Sequence, residues 1–159
     1  MKFYCKSLDE TRALAKKFGA LIEKNGAFVS LLGEIGVGKT AFTKFLLEYI
    51  GVREAVTSPS FVILNEYHSS ADACGGGHLD VYHFDLYRLE EEGVKTIAAE
   101  LCEYSREGVI TLVEWADFGA NELPFERINL KVGYGEGETE RIFDFVAVGE
   151  KYARIVEAL

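Results

Sequence analysis

Residues Gly33-Glu34-Ile35-Gly36-Val37-Gly38-Lys39-Thr40 satisfy the pattern G-x-x-x-x-G-K-[ST] at every fixed position. The run Ala27-Phe28-Val29-Ser30-Leu31-Leu32 before it reads as a buried strand. Lys39 to Ile50 after it reads as a helix, with Phe42, Phe45, Leu46 and Tyr49 on one side and Gly51 as its stop. A strand that feeds a glycine turn and then a helix is the context in which this pattern has a mechanism. Glycines let the backbone fold so that successive N–H groups point inward. The helix adds an N-terminus whose dipole and unpaired N–H groups favour anions. Lys39 is then placed to neutralise the β- and γ-phosphates of a nucleotide, and the Thr40 hydroxyl to ligate magnesium. With Gly at about 7% of average usage, a chance match in a chain this long is below roughly 1%.

Such a loop needs a sheet behind it, and the chain is long enough to build one. Its 159 residues, 48% apolar, fit a single domain, 1–159, with a real core. No apolar run approaches the roughly 20 residues that cross a bilayer. Met1 to Ser7 carries no long apolar stretch, so no secretory signal is expected. Cys5, Cys74 and Cys102 are odd in number and widely spaced, which argues against a disulfide framework and for a reducing cytoplasm. Seventeen basic against 26 acidic side chains give a net charge of −9. That balance opposes binding to nucleic acid by bulk charge, so contact with RNA would need a local basic patch or a basic partner.

The rest of the pattern is that of an α/β chain. Ser7-Leu8-Asp9-Glu10 is a capping box, with Glu10 reaching back, and Leu14, Phe18, Leu21 and Ile22 follow at helical spacing up to a stop near Asn25-Gly26. Phe61 to Tyr67 and Leu79 to Phe84 are strand candidates either side of a loop from His68 to Gly77, and Glu90 to Tyr104 is helical in character. Val109-Ile110-Thr111-Leu112-Val113 is a continuous apolar strand. Arg127 to Val132 and Arg141 to Val148 alternate as strands around a hairpin signal at Gly133 to Gly137, and Glu150 to Leu159 closes the chain as a short helix. The order α-β-α-β-β-α-β-β-β-α predicts a three-layer α/β domain of the P-loop NTPase kind, with a mixed, mainly parallel sheet and an antiparallel C-terminal hairpin.

A phosphate loop needs a second metal ligand and a group that positions water. Two strands end in acids: Asp85 follows Val81-Tyr82-His83-Phe84, and Glu114 follows Ile110-Thr111-Leu112-Val113. Ligands of open α/β sheets bind at that edge. Each acid could equally be an exposed carboxylate in a turn; beside the loop both are candidates for catalysis and for metal. Trp115 is a cover for the nucleotide, a contact for a partner, or a core aromatic. His68, Cys74 and His78 lie close in sequence, but a zinc site would need a fourth ligand and better spacing.

The loop Gly33 to Thr40, the stretch Thr57-Ser58-Pro59-Ser60-Phe61, the string His83-Phe84-Asp85-Leu86-Tyr87-Arg88-Leu89 and Val113-Glu114-Trp115 together resemble the TsaE (YjeE) family over roughly residues 7 to 135. The resemblance implies a P-loop ATPase required for threonylcarbamoyladenosine modification of tRNA next to the anticodon. It implies ATP and Mg2+ as ligands, weak ATPase activity, and the proteins TsaD and TsaB as partners. The tRNA would be met only indirectly through them. Transfer of the threonylcarbamoyl group is theirs; the ATPase resets the assembly between turnovers. By the same resemblance Gly33, Glu34, Ile35, Gly36, Val37, Gly38, Lys39, Thr40 and Ala41 surround the phosphates, with Thr11 near the adenine. Thr40 and Glu114 hold magnesium, Asp85 orders the water or the metal shell, and Ser58 to Phe61 form a switch-like loop. Ala41 stands where the family usually carries a second hydroxyl.

Other functions share the loop. A small-molecule kinase would need a lid with several arginines, yet Glu90 to Gly108 offers only Arg106. A GTPase should carry N-K-x-D, which Asn129-Leu130-Lys131-Val132 does not match. A nucleotide-dependent binding switch without turnover is kept open by Ala41.

Overall fold

The computed structural model describes residues 1–59, 62–69, 78–86, 88–89, 91–114 and 123–159. Its elements in chain order are β1 Lys2–Cys5, α1 Leu8–Ile22, β2 Gly26–Leu32, α2 Lys39–Ile50, β3 Leu64–His68 and β4 Asp80–Asp85, then α3 Glu91–Glu103, β5 Val109–Glu114, β6 Arg127–Tyr134, β7 Arg141–Val148 and α4 Ala153–Ala158. The strands form one sheet in the order β1-β7-β6-β2-β5-β4-β3. The centre, β6-β2-β5-β4, is parallel. Antiparallel pairs close both ends: β3 on β4, and β7 and β1 beyond β6.

The sequence explains this division. In β2 and β5 every residue is buried except Leu32, as expected for parallel strands covered on both faces. In β7, Phe143 and Phe145 are buried while their neighbours are half-buried or exposed, the pattern of a sheet covered on one face. Phe145 stacks near Phe18 of α1 (ring centroids 5.1 Å apart) and Phe143 near Phe42 of α2 (5.3 Å), so both helices lie on that face. Tyr104, just past α3, meets Tyr82 (4.5 Å) and Phe84 (5.2 Å) on the other face of β4. Three layers result.

Register then fixes where the acids point. Phe145 pairs with Leu130, Leu130 with Leu31, Leu31 with Glu114, and Glu114 with Asp85. Residues paired across a sheet share a face. Asp85 and Glu114 therefore lie on the α1–α2 face, at the edge where β2 runs into the glycine loop.

The elements differ from the sequence pattern at several points. β1 has no counterpart in it; its four residues include only one that is buried, and its strand character comes from the ladder to β7. β3 starts at Leu64 because the amides of Val62 and Ile63 both donate to Pro59 O, closing a turn. β6 runs two residues further, since Gly133 and Tyr134 pair with Ile142 and Arg141. At the head of α1 the Glu10 amide donates to Ser7 Oγ (3.2 Å), but the Glu10 carboxylate reaches past the cap to the Lys6 amide (2.8 Å). No helix among the described residues is long and apolar enough to cross a membrane.

Candidate functional site

The glycine loop is held from below by the sheet. A Cβ on Gly33 would stand 2.4 Å from Val132 O of β6, so only glycine lets the chain leave β2 this close to its neighbour. Gly38 has φ 118° and caps α2 with no side chain bonded to the first turn. No cap side chain of residue 38 engages the first N–H groups of the helix, as a Ser or Asp there would. Val37 is buried, and its carbonyl accepts from Arg141 Nε of β7 (2.9 Å), which ties the loop to the hairpin. The Arg141 guanidinium also lies over the Tyr134 ring (4.7 Å). Nothing in the sequence marks Arg141; its part is visible only once β7 is seen to end beside the loop. Glu34, Ile35 and Gly36 form the exposed tip.

Lys39 is buried at 9% exposure and has no carboxylate within 4.0 Å among the described residues. Its ammonium donates to Gly33 O (2.8 Å) and Glu34 O (3.0 Å). A cation held over the loop by carbonyls alone is well placed to take up an anion. Thr40 and Ala41 follow in the first turn of α2, both half-buried.

Across the same edge, Asp85 (7% exposed) accepts from Ser58 Oγ at 3.2 Å, and its amide donates to Ile63 O at 2.9 Å. These bonds bring Ser58 and Ile63 against the end of β4. Ile63 is a β-branched residue at φ 69°, a strained position within that turn. Glu114 (5% exposed) sits beside Asp85 in register, and its Oε1 accepts from His83 Nε2 at 3.0 Å. No Lys or Arg of the described residues lies within salt-bridge distance of Glu114. No group of three or more His, Cys, Asp or Glu among the described residues forms a cage for a metal. Magnesium held by nucleotide phosphates needs only one or two carboxylates, so this donor set fits that ion and no all-protein cage is required.

Thr11 is buried in the first turn of α1, with its hydroxyl donating to Ser7 O (3.2 Å). Ser60, Phe61, Tyr87, Trp115, Cys74 and the rest of 70–77 lie outside the described residues. His68 pairs with Asp80 (3.0 Å), and His78 Nδ1 is bonded to Ser69 O (2.9 Å). Arg88 is exposed.

A mixed α/β sheet with a glycine loop between a central strand and its helix, and two acids at the neighbouring strand ends, defines a domain of the P-loop NTPase-like fold. The family model described as threonylcarbamoyl adenosine biosynthesis protein TsaE matches residues 5–143. The chain is 38% identical over 151 residues to the tRNA threonylcarbamoyladenosine biosynthesis protein TsaE of Bacillus subtilis, covering 95% of this chain and 88% of that protein. It is 35% identical over 125 residues to the TsaE of Treponema pallidum, covering 78% and 84%. The crystal structure of Bacillus subtilis YdiB superposes with a TM-score of 0.76 at 34% identity, over 99% of this chain and 91% of that one. The chain belongs to the TsaE family, whose role lies in threonylcarbamoyladenosine biosynthesis on tRNA.

Proposed function

We propose that the chain binds ATP with magnesium at the glycine loop, hydrolyses it slowly, and serves TsaD and TsaB in the cytoplasm as the factor that permits repeated rounds of threonylcarbamoyl transfer. The observation that carries this reading is the pairing of an α2 N-terminus capped by Gly38 without a side-chain bond and a buried Lys39 that, among the described residues, bonds only to loop carbonyls. The backbone amides from Gly36 to Thr40 cradle the phosphates, and Lys39 exchanges its carbonyl partners for phosphate oxygens. Thr40 and Glu114 hold the metal. A magnesium ion held there would supply positive charge to offset that of the phosphates. Asp85 orients water from the neighbouring strand, and its bond to Ser58 couples that residue to the presence of the phosphates. The tRNA is met through the partners, which suits a chain of net charge −9.

The test is reconstitution with TsaD, TsaB, threonylcarbamoyl-adenylate and tRNA. Modified adenosine should accumulate beyond one round only when this protein and ATP are both added. An equal multiple-turnover yield without the protein would remove the assignment.

A further inference from the structure

His83 is fully buried on β4, two residues before Asp85 and on the same face. It pairs in register with Leu112, so Glu114 is its diagonal neighbour on β5, a distance an imidazole and a glutamate span together. Its Nε2 lies 3.0 Å from Glu114 Oε1, while its Nδ1 has no hydrogen-bond partner among the described residues. A carboxylate only accepts, so the shared proton is on Nε2. A proton on Nδ1 would be a buried donor with nothing to meet, so the geometry favours the tautomer that carries its proton on Nε2. An apolar side chain would fill this interior position without leaving a nitrogen unpaired. The histidine is thus a local penalty at the site, and its one bond goes to the carboxylate. Glu114 in turn has one oxygen engaged by His83 and, among the described residues, none on the other. Carboxylate torsions are broad and roughly two-fold, so without His83 no hydrogen bond among the described residues would set the group's rotation.

We propose that His83 is the positioning residue for Glu114: its Nε2–H holds Oε1 and presents Oε2 as the metal-binding oxygen. This rests on the magnesium–ATP reading above. Removal of an outer-shell partner typically lowers metal affinity about 10–100-fold. His83→Leu should therefore raise the magnesium concentration needed to saturate the protein bound to a non-hydrolysable ATP analogue by about 10–100-fold. Metal-free affinity for the analogue should stay unchanged. His83→Gln, which keeps a donor near the Nε2 position, should recover most of the loss. A purely structural role would lower both affinities together. Magnesium dependence in His83→Leu equal to wild type overturns the positioning role alone; a wild-type protein that binds no analogue overturns the loop reading with it. Nitrogen-15 spectra of the nucleotide-free wild type give a test that needs no variant. They should show the neutral Nε2–H tautomer for His83, and an Nδ1–H tautomer would overturn the proposal.

Discussion

At the residue scale the site turns on two buried polar side chains with few partners among the described residues, Lys39 and His83. Lys39 is the clearer, a buried ammonium bonded among the described residues only to carbonyls. A hydrogen bond to a charged group contributes about 1.5–3 kcal/mol. Loss of two such bonds to phosphate weakens binding by roughly 100-fold or more. Lys39→Ala should show that loss for ATP in calorimetry, and undiminished affinity would dismiss the phosphate reading. Cysteine reactivity separates in the same manner. Burial pushes the Cys5 thiol up, partly opposed by its hydrogen bond with Thr11, whereas Cys102 is exposed. The thiolate is the reacting form, so peptide mapping after brief iodoacetamide treatment at mildly alkaline pH should find Cys102 modified before Cys5. Faster labelling of Cys5 would mean that β1 does not stay on the sheet edge. Most of these residues were legible in the sequence: the loop by its spacing, Asp85 and Glu114 by ending apolar runs. Arg141 and the His83–Glu114 bond were not. They depend on which strands lie side by side, and alternation within one strand carries no record of its neighbour.

At the element scale the legible parts are those with strong local patterns. β2 and β5 are continuous apolar runs because parallel strands here are covered on both faces. α1 and α2 show their stripes because one side meets Phe143 and Phe145. β1 was illegible for the opposite reason. Four residues at an edge, with Tyr4 exposed, gain their form from the partner strand and show no period of their own. The β2–α2 junction is the element where fold and site meet, and it is sensitive to a single methyl. Gly33→Ala would place Cβ 2.4 Å from Val132 O at φ 139°. Backbone strain alone costs about 1–3 kcal/mol there, before the contact with β6 is relieved. The urea midpoint of the nucleotide-free protein should fall accordingly, and ATP affinity with it. A Gly33→Ala protein as stable as wild type would mean that the loop does not press on β6 as described.

At the scale of the whole molecule, the sheet has two unlike halves joined at the loop. The parallel half supplies the acids; the antiparallel half, β6-β7-β1, supplies the backbone that Gly33 packs on and the Arg141 that binds Val37 O. A ligand seated at the junction touches both, so its binding energy should appear as stability of the entire domain. The long-range charge would work against the triphosphate proposed as that ligand, since the protein carries −9. On the proposed function the opposing forces would be local: amides, Lys39, and a cation held by Glu114. A ligand at 100 times its dissociation constant stabilises the native state by about 2.7 kcal/mol. In a domain of this size that amounts to a rise in Tm of roughly 5–10 °C. ATP with magnesium should produce that rise in a thermal melt, chelation of the metal should remove part of it, and Glu114→Ala should lack the metal-dependent part alone. If chelation changes nothing, the cation is not what reconciles an acidic protein with an acidic ligand, and Glu114 has another task.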